Sequence, residues 1–268
     1  MIAKSFKNKF AILILSCDKY ADLWPIFFEL FWRYWPDCPL NIYLITNKLS
    51  ISDNRVRCLC MGEDISWSDN LIKALKSVNE EYIMLFVDDT FLIHHVNTKK
   101  IIFFLHWMYS KKINYLRLMP SPKPDIPYNN YIGEISKGSI YRASIPFSVW
   151  RKNILLDLLV KGESAWAFEV YGSIRSDKYE DFYSCRLRNF TYIHGVIKGK
   201  WSGRAVRRLR SMGFKIDVTK RDIMSLKEEF IWHLLLIRSR LFYMIPNKYK
   251  RQIKHFLLRG KYNYNLRS

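Results

Sequence analysis

The sequence is poor in the features that place a chain quickly. It has five cysteines (Cys17, Cys38, Cys58, Cys60 and Cys185), an odd number without metal-type spacing. Cys58-Leu-Cys60 is a C-x-C with no second pair after it, so neither a zinc site nor a disulfide framework is indicated, and free thiols are expected. No apolar run approaches a membrane span. The first, Phe10–Leu15, is shorter than a signal-peptide core and reads as a strand, so a cytoplasmic protein is expected. There is no internal repeat and no low-complexity segment. Acidic residues are scarce as well: 24 Asp and Glu stand against 44 Lys and Arg, a formal net charge of +20. Such an excess points to nucleic acid, an anionic membrane face or phosphorylated substrates.

The 268 residues are 49% apolar and 16% aromatic, which excludes disorder and suffices for one large α/β domain, or one domain with a short appendage. Continuous apolar runs at 10–15, 41–46 and 82–87 read as parallel strands covered on both faces. Further strands are expected near 56–60, 113–119, 139–143 and 189–196. Helices are expected over 22–34, from Ser66, over 98–112, from Pro146 to Gly162, and over 202–212. Residues 120–133 hold four prolines and read as a long surface loop near the site. The alternation predicts a mostly parallel sheet with helices on both faces over residues 1–222. Residues 223–268 differ. Apolar clusters alternate with Lys and Arg, the pattern of a basic amphipathic helical tail on an anionic membrane surface.

The chemistry-bearing candidates gather at strand ends. In open α/β sheets, ligands bind beyond the carboxyl ends of the strands. Asp88 and Asp89 follow the clearest strand, and two adjacent carboxylates repel unless a cation lies between them. A divalent metal (Mn²⁺ or Mg²⁺) bridging to a nucleotide diphosphate would supply one; a solvated acidic turn is the alternative. Asp18 follows the first strand and could accept from a nucleobase N–H or a ribose hydroxyl, or cap the next helix. Trp67 and Asp69 suit sugar binding, and Asp69 equally suits a first-turn acid favoured by the helix dipole. Glu169 sits among Trp166, Phe168 and Tyr171, where a carboxylate suits a general base, or else pairs with Arg175 or Lys178. Lys198, Lys200 and Arg204 flank a glycine and could meet a diphosphate; Arg117, Arg142 and Arg151 are further candidates. Each of these could instead be a solvated charge.

Several strings together resemble bacterial glycosyltransferases of capsule and lipopolysaccharide O-antigen clusters. They are Ile12-Leu-Ile-Leu-Ser-Cys-Asp-Lys-Tyr-Ala-Asp-Leu-Trp, Trp35-Pro-Asp-Cys-Pro, Ile42-Tyr-Leu-Ile-Thr-Asn, Trp67-Ser-Asp-Asn-Leu-Ile-Lys-Ala-Leu, Tyr82-Ile-Met-Leu-Phe-Val-Asp-Asp-Thr-Phe-Leu, Ser164-Ala-Trp-Ala-Phe-Glu, Gly172-Ser-Ile-Arg-Ser and Val196-Ile-Lys-Gly-Lys-Trp-Ser. The likeness runs over residues 8–221. It implies a GT-A-like fold, a Rossmann-like nucleotide-binding half joined to an acceptor half. The metal and donor-diphosphate motif of that fold falls by position on Asp88 and Asp89, and the acceptor-side acid of inverting members on Glu169. The chain departs from the usual Asp-x-Asp, and relatives carry Glu-Asp, so the resemblance leaves metal dependence open.

The implied function is transfer from a nucleotide-sugar donor in O-antigen or capsule synthesis. The basic tail adds the expectation of a lipid-linked oligosaccharide acceptor and of peripheral attachment on the cytoplasmic side of the inner membrane, since acceptor diphosphate-lipid and bilayer are both anionic. Nucleic-acid binding is the rival from another class, suggested by charge and interleaved aromatics. No RRM, KH or helix-turn-helix signature supports it, and a nucleic-acid partner is not expected. A nucleotidyltransferase would carry a glycine-rich loop after the first strand, and Ser16-Cys-Asp-Lys-Tyr-Ala is not one.

Overall fold

The computed structural model describes residues 8–245, 249, 250 and 253. Strand β1 (Phe10–Leu15) is buried along its whole length, because alternate residues feed different cores. Phe10, Ile12 and Ile14 face one side of the sheet; Ala11, Leu13 and Leu15 face the other. Strands β2 (Asn41–Thr46) and β4 (Tyr82–Val87) flank β1 in parallel, and β3 (Val56–Cys60) lies outside β2. This explains why the three apolar runs read as strands without alternation: both of their faces are inside.

Helices cover both faces. The first core receives Trp24, Phe27, Phe28 and Phe31 from α1 (Trp24–Tyr34), and Ile101, Phe104 and Met108 from α3 (Thr98–Lys111). The second receives Leu71, Ala74 and Leu75 from α2 (Trp67–Ser77), and Ile154, Leu155 and Leu158 from α4 (Lys152–Leu158). Ser66 caps α2 by accepting from the Asp69 amide, and Asn97 caps α3 through the Lys100 amide. The start of α1 differs from expectation. Residues Asp18–Leu23 form a 3₁₀ turn, and the α-helix begins only where Pro25 occupies its first turn.

The remaining strands are β5 (Thr90–Leu92), β6 (Tyr115–Arg117), β7 (Ile126–Pro127), β8 (Ile132–Glu134), β9 (Ser148–Arg151), β10 (Phe182–Cys185), β11 (Tyr192–His194), β12 (Val196–Ile197) and β13 (Lys200–Trp201). Among the described residues a nine-stranded sheet runs β3-β2-β1-β4-β9-β6-β10-β8-β7, with β11-β5 and β12-β13 as separate pairs.

The sheet is α/β but mixed. Strand β9 is antiparallel to both β4 and β6, and β8 is antiparallel to both of its neighbours. Residues 148–151, expected inside a helix from Pro146, are therefore a central strand. Four residues buried on two faces, with Val149 in one core and Trp150 in the other, offer no period to read. No strand forms at 139–143, where turns surround the buried Arg142. The proline-rich 120–133 segment supplies β7 and most of β8 at the far edge, well removed from β1 and β4. Helix α5 (Gly203–Ser211) packs Val206 and Leu209 on the first core. Helix α6 (Leu226–Met244) opens with a capping box between Ser225 and Glu228. Beyond it, most of the expected basic tail lies outside the described residues. No helix among those described is long and apolar enough to cross a membrane.

Candidate functional site

The strand order places a crevice before any side chain is considered. The chain leaves β1 towards β2 on one side, while β4 lies on the other, so the carboxyl ends of β1 and β4 flank a topological switch point. Leu15 and Val87, the last residues of these strands, are in register. Ser16 and Asp88 follow them, and the Ser16 hydroxyl donates to Asp88 Oδ2. Trp24 Nε1 donates in turn to Ser16 Oγ at 2.7 Å, so the indole at the start of α1 fixes the hydroxyl that fixes the acid.

Asp88 is buried, and Asp89 beside it is partly so. Burial pushes the Asp88 carboxyl well above the ordinary carboxylate range; the Ser16 hydrogen bond pulls it down and the Asp89 charge raises it further. Burial likewise pushes Asp89 up to about 6, against smaller lowering by its backbone amide and by Arg221. Arg221 is the cation both acids feel, but much of its charge is already engaged. It is bidentate to Asp22 (3.0 and 3.2 Å), donates to the carbonyls of Lys19 and Gly199, and lies over the Tyr20 ring at 4.6 Å. The pair is thus under-neutralised, and further positive charge would stabilise it.

A divalent cation fits on that ground. No cluster of three or more potential ligand residues exists among those described, so the protein would contribute two carboxylates at most and the oxygens of a bound phosphate the rest. The rim beside Asp89 comes from the residue that follows β11: the Gly195 amide donates to the Asp89 carbonyl at 2.7 Å. Only glycine fits there, since a Cβ would lie 2.2 Å from the Phe91 ring.

Asp18 is drawn into a loop clamp. Its carboxylate accepts from the amides of Asn47, Lys48 and Leu49 at 2.9–3.3 Å, while Asn47 Oδ1 accepts from the Asp18 amide. It ties the exit of β1 to that of β2 and makes no side-chain cap. Asn47 Nδ2, buried next to it, has no hydrogen-bond partner among the described residues. Asp69 accepts from Ser66 Oγ at 2.6 Å and from the Gly162 amide at 2.9 Å, which hold its carboxyl below the ordinary range. With Ser68, which binds Glu163 through both its amide and its hydroxyl, it stitches α2 to the 162–163 loop. Trp67 packs against Phe168, with centroids 5.5 Å apart, beneath the turn that carries Glu169.

That turn is unusual. Ser164 caps a short helix at Ala165–Ala167, and the chain then widens into a π turn at Phe168–Gly172. Single π turns within helices cluster at functional sites. Ser173 Oγ donates to the Glu169 carbonyl at 2.6 Å and accepts from the Ala143 amide. Gly172 is required, since a Cβ there would lie 2.9 Å from the Phe168 ring. Glu169 Oε1 accepts from the Ile145 amide at 2.9 Å. Ile145 precedes β9, which starts at the carboxyl ends of β4 and β6, so Glu169 stands on the same sheet edge as Asp88. Arg175 binds Glu163 bidentately and Lys178 pairs with Asp157. Trp166 does not shield the acid, being 70% exposed.

The other cations separate. Lys198 and Gly199, both at positive φ, form the tight turn of the β12–β13 hairpin, and Lys198 makes no ion pair among the described residues. Lys200 is bound to Glu228 at 2.8 Å, and Arg204 is exposed. Arg142 is a structural clamp on the carbonyls of Ile135, Ser176 and Tyr179. Arg151 lies at the opposite edge, beside Glu81. Arg117, buried at the end of β6, leaves Nε and Nη1 unpaired among the described residues. Its charge and that of Glu169 both reach the buried Tyr115 hydroxyl, which burial pushes up to about 12.

Ser16, Trp24, Asn47, Gly195 and Arg221 are site residues that reading the sequence missed. Only Ser16 carried a signal, its position directly after a buried strand.

No family model matches the chain, and no curated protein matches it. Among solved structures, TarS 1–349 from S. aureus overlaps with a TM-score of 0.46 at 11% identity, over 69% of this chain and 59% of that one. The same protein in complex with UDP-GlcNAc gives 0.45 at 10% identity, over 97% of this chain and 76% of that one. The bifunctional IspDF from Campylobacter jejuni gives 0.35 at 9% identity, over 60% and 46%. The chain thus spans about 59% of the length of TarS 1–349 as first matched. Overlaps this partial carry no argument about activity.

Proposed function

We propose that this chain is a nucleotide-sugar-dependent glycosyltransferase of GT-A type. The observation that carries the reading is the under-neutralised pair Asp88-Asp89 at the β1/β4 switch point, with Glu169 on the same sheet edge across β9. A donor diphosphate would lie at the acidic pair with Mn²⁺ or Mg²⁺, and the bound cation would offset charge on the departing diphosphate. Asn47 Nδ2, unpaired among the described residues at the exit of β2, and Lys198, in the turn of the β12–β13 hairpin, are donors such a ligand could use. Asp18, Trp67 and Asp69 shape the walls.

On this reading Glu169 removes the acceptor hydroxyl proton. The freed oxygen bonds to the anomeric carbon as the bond from that carbon to the diphosphate breaks, a single displacement with inversion. The acceptor is a lipid-linked glycan of surface-polysaccharide synthesis (O-antigen or capsule), met at the inner face of the cytoplasmic membrane. The basic composition after residue 229 supports that part of the reading. Glu169→Gln tests the assignment, because it should abolish transfer while donor binding stays within about twofold of wild type. Undiminished transfer would remove Glu169 from the mechanism.

A further inference from the structure

Helix α6 carries an apolar surface that nothing covers among the described residues. Leu226, Phe230, Leu234, Ile237, Leu241 and Met244 are 49–86% exposed. At about 100° per residue, these six positions fall within an arc of roughly 80° and form one straight stripe of roughly 27 Å. The first turns of the other side face the protein: Trp232 and Leu235 line a groove with Ile197, Lys200 and Met224, and Glu228 pairs with Lys200. That ion pair fastens the start of the helix to the β12–β13 hairpin, with the stripe on the side turned away from the groove.

Charge decides what such a stripe fits. From Phe230 to Ser268 the sequence has nine Lys and Arg and no Asp or Glu, in a chain of net charge +20. A second copy would bring like charge to the same surface. An anionic bilayer offers an apolar interior for the stripe and headgroup phosphates for the cations beside it. Lys227 and Arg238 fall along one border of the stripe, at about 100° and 120° on the same wheel.

We propose that α6 lies flat on an anionic lipid surface, with this stripe in the acyl boundary. The inference does not require the transferase reading. The two meet at the Lys200–Glu228 pair, which fastens the docking helix to the hairpin whose turn presents Lys198.

The test uses the full chain and sedimentation with vesicles of phosphatidylcholine and phosphatidylglycerol at roughly 3:1, against phosphatidylcholine alone. Wild type should partition onto the anionic vesicles only. Ile237→Glu/Leu241→Glu should lose at least about tenfold in partitioning with an unchanged unfolding midpoint, because both side chains are exposed. Should that pair fail to fold, Ile237→Ser/Leu241→Ser reads the same face. Lys227→Glu/Arg238→Glu should weaken binding by a smaller, salt-dependent factor. The proposal is overturned if wild type ignores anionic vesicles or the stripe variants partition like wild type. It is also overturned if wild type is a dimer in solution that the stripe variants dissociate. Asp89→Ala should bind vesicles like wild type, which separates failure of this surface from failure of the donor site.

Discussion

Replacing Asp89 with asparagine should make the protein more stable and less able to hold a phosphorylated ligand. Folding moves this carboxyl from an ordinary 3.8 to about 6, mainly by burial. The folded state therefore binds the proton more tightly than the unfolded chain, and ionising the group costs stability. That cost is absent below about pH 4, grows as pH rises through the interval, and is complete above about pH 7. At 1.36 kcal/mol per pH unit the ceiling is about 3 kcal/mol, and partial exposure of the side chain brings the working figure to about 1.5 kcal/mol. For a chain of this size that is a rise of roughly 3–6 °C in unfolding midpoint at pH 8, with wild type and variant converging near pH 4. The assay is paired thermal unfolding of wild type and Asp89→Asn from pH 4 to pH 8, with chelator present so that no divalent cation offsets the charge. Equal midpoints at pH 8, or a gap that does not change with pH, would refute the argument that the acid is held under-neutralised.

Three further changes probe the architecture. Gly172→Ala drives a Cβ to 2.9 Å from the Phe168 ring; it should lower stability by about 1–3 kcal/mol and depress turnover more than ligand affinity, because the π turn aims Glu169. Denaturant unfolding and a kcat–KM comparison read the two effects. Gly195→Ala, with its Cβ only 2.2 Å from the Phe91 ring, should destabilise by at least as much and also displace the amide that binds the Asp89 carbonyl, seen as weakened nucleotide-sugar affinity in calorimetry. Trp24→Phe keeps an aromatic ring but removes the indole donor to Ser16 and part of the buried volume. It should cost about 1–3 kcal/mol in chemical denaturation and loosen the hydroxyl that fixes Asp88.

How far the sequence discloses this arrangement depends on the range of each interaction. Strands β1, β2 and β4 and the acids that follow them are legible, because six-residue apolar runs buried on two faces leave a local mark. The caps of α2 and α3 are local too, being a side chain and an amide three residues apart. Strand β9 is not legible: it is short, opens after Pro146, and runs directly into a helix. Without it the sheet reads as mostly parallel, and the position of Glu169 on the Asp88 edge cannot be derived. The Arg221–Asp22 clamp joins residues 199 positions apart, and no periodicity encodes such a contact. The π turn is a widening of helical spacing by a single residue, which a pattern of 3.6 conceals. The contacts of Asp18, and that of Asp69 with Gly162, are likewise hidden, because they are made by backbone amides that any residue could supply.

The most direct test of the account is calorimetric titration of the purified chain with a panel of nucleotide sugars, with and without Mn²⁺. Wild type, Asp89→Ala and Glu169→Gln are compared. At least one nucleotide sugar should bind wild type and Glu169→Gln within about twofold of each other, while Asp89→Ala binds at least about tenfold more weakly. Binding by Asp89→Ala equal to wild type, or no nucleotide sugar binding at all, would contradict the assignment of the acidic pair as the donor site.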